Sequence, residues 1–236
     1  MSATAKPSTL RQVAILIGGA GSRLGALTGQ TPKPMLSVAG KPFLEHLLVK
    51  ARRHGLDRVL LLAGYRSEVV AAYLADTGVA QRLGLEITLN VEPEPLGTGG
   101  ALALAHATLD DAFLLVNGDT WFDFDWSVLA ASDAHPARLA LRRIALADRY
   151  ETVVLDGDRV TAFQPRGAAV TDGLINGGAY RLRKAVVPTQ ARTLSLENDL
   201  LPDLCARGGL GGAVFEGPFI DIGVPDSFAA AQTLLA

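Results

Sequence analysis

The chain has 236 residues, 49% of them apolar, enough to bury a substantial core as one domain or one domain with a subdomain. A net charge of −2 offers no basic face for nucleic acid, and a single cysteine excludes a disulfide framework and fits a reducing compartment. Residues 1–12 hold no apolar run of the signal-peptide kind and no apolar stretch approaches a membrane span, so the composition points to a cytoplasmic globular protein.

Val13–Ile17 reads as a buried first strand that runs into a glycine-rich turn. In that turn Gly18, Gly19 and Gly21, with Ala20 and Ser22 between and after them, let several backbone N–H groups approach an anion. Arg23 adds a planar bidentate donor for phosphate oxygens, and Lys33 adds a point charge whose position is stiffened by Pro32 and Pro34. Strand, anion nest, arginine and clamped lysine together read as a nucleoside triphosphate site. Two other phosphate motifs fit poorly. The one Gly-Lys pair, Gly40-Lys41, is followed by Pro42 instead of Ser or Thr, and Leu24 stands where a dinucleotide fingerprint needs a small residue.

Pro42–His54 reads as a helix with Phe43, Leu44, Leu47, Leu48 and Ala51 on one face and Gly55 past its end. Strands follow at Arg58–Ala63, Leu85–Val91 and Ala112–Val116, separated by helices at Ser67–Leu74 and Gly99–Thr108. This alternation predicts a Rossmann-like, doubly wound, mostly parallel mixed sheet with helices on both faces, its ligands at the carboxyl ends of the strands. Asp119 ends the Ala112–Val116 run, and Asp221 repeats the arrangement in Phe219-Ile-Asp-Ile-Gly223.

The second half changes character. Leu139–Leu146, Glu151–Leu155, Arg159–Phe163 and Asn176–Leu182 read as strands, with Asp156-Gly157-Asp158 as a hairpin turn. Leu196–Ala206 reads as a helix, Val214–Ile222 as two short extended pieces and Pro225–Leu235 as a closing helix. Cys205 reads as a core filler, and the aromatic cluster Trp121, Phe122, Phe124 and Trp126 as core. The histidines at 46, 54, 106 and 135 lack metal-ligand spacing.

Gly18-Gly-Ala-Gly-Ser-Arg-Leu24 followed by Pro32-Lys-Pro-Met35 resembles the GG-x-G-[ST]-R-L … PKPM segment of sugar-1-phosphate nucleotidyltransferases. Glu94-Pro-Leu-Gly-Thr-Gly-Gly-Ala101, Val116-Asn-Gly-Asp119, Ile175-Asn-Gly-Gly-Ala-Tyr180 and Phe219-Ile-Asp-Ile-Gly223 recur in family order, so the resemblance spans nearly the whole chain. It is nearest to the short guanylyltransferases that act on D-glycero-α-D-manno-heptose 1-phosphate. The resemblance implies a nucleotidyltransferase fold of the glycosyltransferase-A kind, with a nucleotide-binding half at 1–124 and a sugar-phosphate-binding half at 125–236. It implies an NTP, GTP in preference, and a sugar 1-phosphate as partners, with Mg²⁺ held by Asp119 and Asp221. Arg23, Lys33 and Asp119 are the catalytic set it implies. Ile17 to Arg23, Glu94, Leu96, Gly97, Thr98 and Gly99 would bind the nucleotide, and Asn117, Asn176, Gly177, Gly178 and Glu197 the sugar phosphate. Where the family commonly has Phe-x-Glu-Lys, this chain has Phe163-Gln-Pro-Arg166, so Arg166 would replace the lysine. Mannose 1-phosphate with GTP and N-acetylmuramate 1-phosphate with UTP are alternative substrate pairs, and a non-catalytic nucleotide-sugar-binding subunit is an alternative of another class. No nucleic acid or membrane partner is expected, and a homodimer is left open.

Overall fold

A computed structural model describes residues 10–19, 21–147, 151–165 and 171–236. In chain order the strands and helices are β1 (Gln12–Leu16), β2 (Ser37–Val38), β3 (Lys41–Pro42), α1 (Phe43–Arg53), β4 (Arg58–Ala63), α2 (Ser67–Thr77), α3 (Val79–Leu83), β5 (Glu86–Val91), α4 (Gly97–Leu104), β6 (Ala112–Asn117) and β7 (Thr120–Phe122). There follow α5 (Trp126–Ala131), β8 (Ala137–Leu146), β9 (Thr152–Asp156), β10 (Arg159–Gln164), β11 (Thr171–Arg183), α6 (Leu201–Ala206), β12 (Leu210–Phe215), β13 (Phe219–Asp221) and α7 (Pro225–Leu234).

Nine of the strands form one sheet in the order β5-β4-β1-β6-β11-β8-β12-β10-β9. The first four are all parallel, with Ala14 at the centre opposite Leu60 on one side and Leu115 on the other. Their apolar runs are continuous because both faces are covered. Val13, Ile15, Leu61, Leu114 and Val116 face one core with α1, α2 and α7, while Ala14, Leu60, Leu62, Phe113 and Leu115 face the other with α4 and α6. β11 runs antiparallel to both β6 and β8 and joins the two parts of the sheet. β12 is parallel to β8, whereas β10 is antiparallel to β12 and β9. The fold is therefore the doubly wound α/β mixed sheet that the sequence predicts.

α1 forms where the apolar spacing places it, with Lys50, Arg52 and Arg53 in its last turn and Gly55 in the left-handed region just beyond. Chain order reverses across β1: β4 and β5 lie to one side and β6 to the other. The carboxyl ends of β1, β4, β5 and β6 thus open onto one crevice, the usual ligand position in such sheets. A separate two-stranded ribbon closes beside it, pairing β7 with β13 so that Phe219 lies opposite Phe122 and Asp221 opposite Thr120. Among the described residues no helix is long and apolar enough to cross a membrane.

Candidate active site

A cavity of about 580 Å³ opens at these strand ends. Ile17, Gly18, Gly19 and Gly21 line it after β1, Glu94 after β5, Gly97 and Thr98 at the start of α4, Asn117 at the end of β6 and Asp119 just after it, and Lys33 and Glu197 from elsewhere in the chain. Eleven of the residues named from sequence therefore meet around one space. Arg23 lies exposed in the 3₁₀ segment Ser22–Thr28, outside the lining. Ala20 and Arg166, as well as the side chain of Ser22, lie outside the described residues.

Lys33 begins a short 3₁₀ turn, Lys33–Met35, entered from Pro32 in the extended region with Pro34 in its first positions. The turn buries the lysine to 8% exposure, and its Nζ donates to Asp119 Oδ2 at 2.8 Å. Asp119 follows Gly118, whose N–H donates to Leu16 O at 2.9 Å and ties the end of β6 to β1. The Asp119 carbonyl accepts from Ile222 N at 2.9 Å, which places Asp221 beside it on the ribbon. Burial, and then the charge of Asp119, raise the Asp221 carboxyl above the ordinary carboxylate value; Lys33, the Gly223 N–H and Arg23 pull the other way without cancelling this. Gly223 N donates to Asp221 Oδ1 at 2.6 Å.

These two carboxylates suit a divalent cation such as Mg²⁺. They are hard oxygen donors, and Asp221 is held where its negative charge is costly unless a cation shares it. Among the described residues no group of three or more His, Cys, Asp or Glu could hold a metal, so the remaining oxygens of such a site would be water and phosphate. The lining carries Glu92, Glu94, Asp119 and Glu197 against the single ammonium of Lys33. A polyphosphate entering that surround needs further positive charge.

Leu96–Gly99, expected to bind the nucleotide, cap and begin α4, which starts at Gly97, two residues before its predicted start. Its N–H groups have a partner remote in sequence: Gly99 N and Gly100 N both donate to Leu194 O, and Leu194 N donates to Leu96 O. Leu96 and Gly99 are buried against this strap and do not line the cavity. Thr98 Oγ1 donates to Glu197 Oε2 at 2.8 Å and accepts from Leu196 N at 2.7 Å, which fixes Glu197 at the cavity edge. Ser195 caps the following turn by accepting from Asn198 N, and this turn, Leu196–Leu200, is a π-helix before α6 continues.

On the β11 side the expected groups are engaged within the protein. Asn176 Nδ2 donates to the Tyr180 hydroxyl at 2.8 Å, and its Oδ1 accepts from Gly178 N at 3.0 Å. The space beside Gly177 is filled by the Phe122 ring, and that beside Gly178 by Asn117. Asn176, Gly177, Gly178 and Asp221 stand behind the lining, and Asn117 reaches it with a buried Oδ1 that has no hydrogen-bond partner.

Sequence reading left out Gly64 and Tyr65 among the lining residues. Glu92 accepts from Leu96 N at 3.0 Å and lies against Gly18 and Gly64, while Gly64 and Tyr65 form the cavity wall after β4. The Tyr65 hydroxyl donates to Thr28 O and Gly29 O and so holds the loop that follows Arg23. A polar residue two positions after the buried run of β4 was the available signal for Tyr65. Cys205, read as a filler, donates to Val160 O and has its thiol pKa raised by burial.

Known proteins resemble this chain over most of its length. The chain is 34% identical over 224 residues to D-glycero-alpha-D-manno-heptose 1-phosphate guanylyltransferase of Aneurinibacillus thermoaerophilus, covering 92% of this chain and 95% of that protein. It is 36% identical over 220 residues to the protein of the same name from Campylobacter jejuni, covering 92% and 96%. The crystal structure of HddC from Yersinia pseudotuberculosis complexed with GMP-PN superposes with a TM-score of 0.84 at 28% identity, over 96% of this chain and all of that one. The family model described as nucleotidyl transferase matches residues 12–236, and the chain belongs to that family.

Proposed function

We propose that the chain transfers a guanylyl group from GTP to D-glycero-α-D-manno-heptose 1-phosphate, releasing pyrophosphate and forming the GDP-sugar. The observation that carries this reading is the buried Lys33, packed beside Gly21 of the turn after β1 and paired with Asp119 in one cavity, in a chain matched over nearly its full length by two heptose 1-phosphate guanylyltransferases. The same reading assigns nucleotide binding to residues 1–124 and sugar phosphate binding to residues 125–236.

The sugar phosphate oxygen is already an anionic nucleophile. It attacks the α-phosphorus, the α–β bridging bond breaks, and the pyrophosphate leaves carrying the electron pair. Nothing in this needs a covalent enzyme intermediate, so the residues act by placement and charge. The turn at Gly18–Gly21 receives the phosphates on backbone N–H groups, and Arg23 at its edge takes the charge that builds on the departing pyrophosphate. Lys33 is desolvated and fixed, which strengthens its pull on the α-phosphate. Asp119 and Asp221 would hold a divalent cation, which when bound neutralises phosphate charge. Glu92 and Glu94 stand where guanine N1–H and N2–H groups could find acceptors, and Asn117 and Glu197 where sugar hydroxyls could.

A pyrophosphate-release screen crossing four NTPs with a panel of sugar 1-phosphates tests this. The expected best pair is GTP with the heptose 1-phosphate, with mannose 1-phosphate at least about tenfold worse in kcat/KM, because a site that hydrogen-bonds the extra hydroxyl is left unpaired by the smaller sugar. Equal turnover of mannose 1-phosphate would defeat the sugar assignment. Absence of turnover with every pair would defeat the enzymatic one.

A further inference from the structure

The aromatic cluster after Asp119 is built around a charge. Lys50, in the last turns of α1, is 3% exposed, yet it does not line the cavity. Its Nζ lies 4.6 Å from the ring centre of Trp121, 5.4 Å from Trp126 and 5.7 Å from Phe124. It donates to Phe122 O at 2.6 Å and to Asp123 Oδ1 at 3.1 Å. An ammonium is rarely buried this far unless paired and hydrogen-bonded, because its lost hydration is large. Here three ring faces and two oxygens replace the water.

Every group that Lys50 holds belongs to β7 or the residues directly after it. That strand leaves Asp119 and, among the described residues, pairs only with β13, which ends at Asp221. Asp123 N donates to Pro218 O at 2.8 Å and extends the pairing. A two-stranded ribbon is marginally stable by itself, so its position is set by what grips it from either side. From the β8 side, the Arg142 guanidinium lies over the rings of Phe122 and Phe219, at 5.9 and 5.7 Å, and donates to Gly217 O. From the α1 side Lys50 grips it, with the His46 ring edge-on to Trp121 and His54 against Trp126 and Asp125 beside it. An apolar side chain could fill the box but could not bind the Phe122 carbonyl.

We propose that Lys50 is a positioning residue that locks the β7–β13 ribbon to α1 and thereby sets the relative placement of the Asp119 and Asp221 carboxylates. The proposal rests on the cation-holding role given to those two aspartates. Its test is a titration of Mn²⁺ alone into the wild type, Lys50→Met and Asp221→Asn, following free Mn²⁺ by paramagnetic resonance. Folding is checked by circular dichroism and by the emission of Trp121 and Trp126, the only tryptophans in the chain, which both belong to this box. Folded Lys50→Met is expected to bind Mn²⁺ about tenfold more weakly, as found when groups orienting a metal ligand are removed. Its kcat should fall while KM for GTP stays close to wild type, and raised Mg²⁺ should restore part of the rate. A merely structural lysine would lower the melting temperature and leave Mn²⁺ affinity and the rate per folded molecule unchanged, which overturns the proposal. Wild-type affinity in Asp221→Asn removes the cation reading and the proposal with it; lost affinity there with none lost in Lys50→Met confines the failure to Lys50. Should Lys50→Met not fold, Asp123→Asn decides in the same assay. That exposed change removes a charged acceptor, so weaker Mn²⁺ binding supports the proposal and unchanged binding overturns it.

Discussion

Gly118 connects the end of β6 to Asp119, and the space beside it belongs to another strand. A Cβ built there lies 2.4 Å from Leu16 O and 2.7 Å from Ile17 Cγ2. Ordinary contact begins near 3.4 Å, so Gly118→Ala needs about 1 Å of relief. The nearer neighbour is a backbone carbonyl that cannot rotate away as a side chain would. The movement falls on the segment carrying Asp119, away from the β1 turn and from Lys33 Nζ. A displacement of about 1 Å at a reacting centre costs on the order of 10²-fold in rate. Overpacking of this kind costs about 1–3 kcal/mol in stability. Gly118→Ala is therefore expected to lose about 10²-fold in kcat/KM for pyrophosphate release from GTP while still melting cooperatively. A variant that melts at lower temperature but keeps kcat/KM within about threefold of wild type would refute the claim that this close approach sets Asp119 for catalysis.

Gly19 provides the opposite case: among the described residues, apart from its chain neighbours, no atom lies within 4 Å of a Cβ built there, and its backbone is not left-handed. Gly19→Ala should thus leave the melting temperature unchanged and raise KM for GTP about tenfold by occupying space in the anion nest, and unchanged kinetics would remove Gly19 from that nest. Arg23→Ala and Lys33→Ala should each lower kcat/KM by roughly 10²-fold, against little change for the exposed Arg52→Ala; if Lys33→Ala behaved as Arg52→Ala does, Lys33 would have no role in the reaction. His46 and His54 have their pKa values lowered from the ordinary 6.5, chiefly by burial, with Val38 O and Asp125 respectively opposing it. The unfolded chain takes up protons at these sites before the folded one does, so their contribution is full above about pH 6.5 and is lost as pH falls through the lower folded values. Urea midpoints measured from about pH 7.5 down to about pH 5 should fall, and His46→Gln should flatten the slope; a flat wild-type profile would contradict the burial effect.

The parallel half of the fold was legible because strands covered on both faces leave continuous apolar runs, as in Val13–Ile17 and Arg58–Ala63. Elements that depend on remote partners were not. β7 has three residues and exists because Phe219–Asp221 pairs with it, and α5 follows it where the sequence offered an aromatic cluster read only as core. The helix expected at Leu196–Ala206 is present but divided, since the Ser195 cap widens its start into a π-turn. The charged groups of the site were found because each ends or follows a recognisable local pattern, a strand for Asp119 and a Pro-Lys-Pro clamp for Lys33. Their pairing at 2.8 Å spans 86 positions and leaves no trace in local spacing. Asn176 was named for sugar hydroxyls, but its amide groups are used within β11, a competition that only the bulged strand reveals.

The glycine-rich signal in the sequence combines two physical causes. Beside Gly18 and Gly64 the space belongs to Glu92 Oε1, at 3.0 and 2.4 Å from the added Cβ, so these glycines admit a carboxylate between the turns after β1 and β4. Beside Gly100 it belongs to Arg192 O at 2.4 Å, where the strap at 192–194 crosses the start of α4. Beside Gly19 there is open space. Only the last of these has open space beside it; the others let segments distant in sequence close against one another. A substitution at Gly64 or Gly100 must therefore act through the position of Glu92 or Arg192, and hence on stability and binding together. One at Gly19 is expected to act on binding alone. The same letter in one motif thus carries different consequences, decided by the identity and rigidity of the atom that a methyl group would meet.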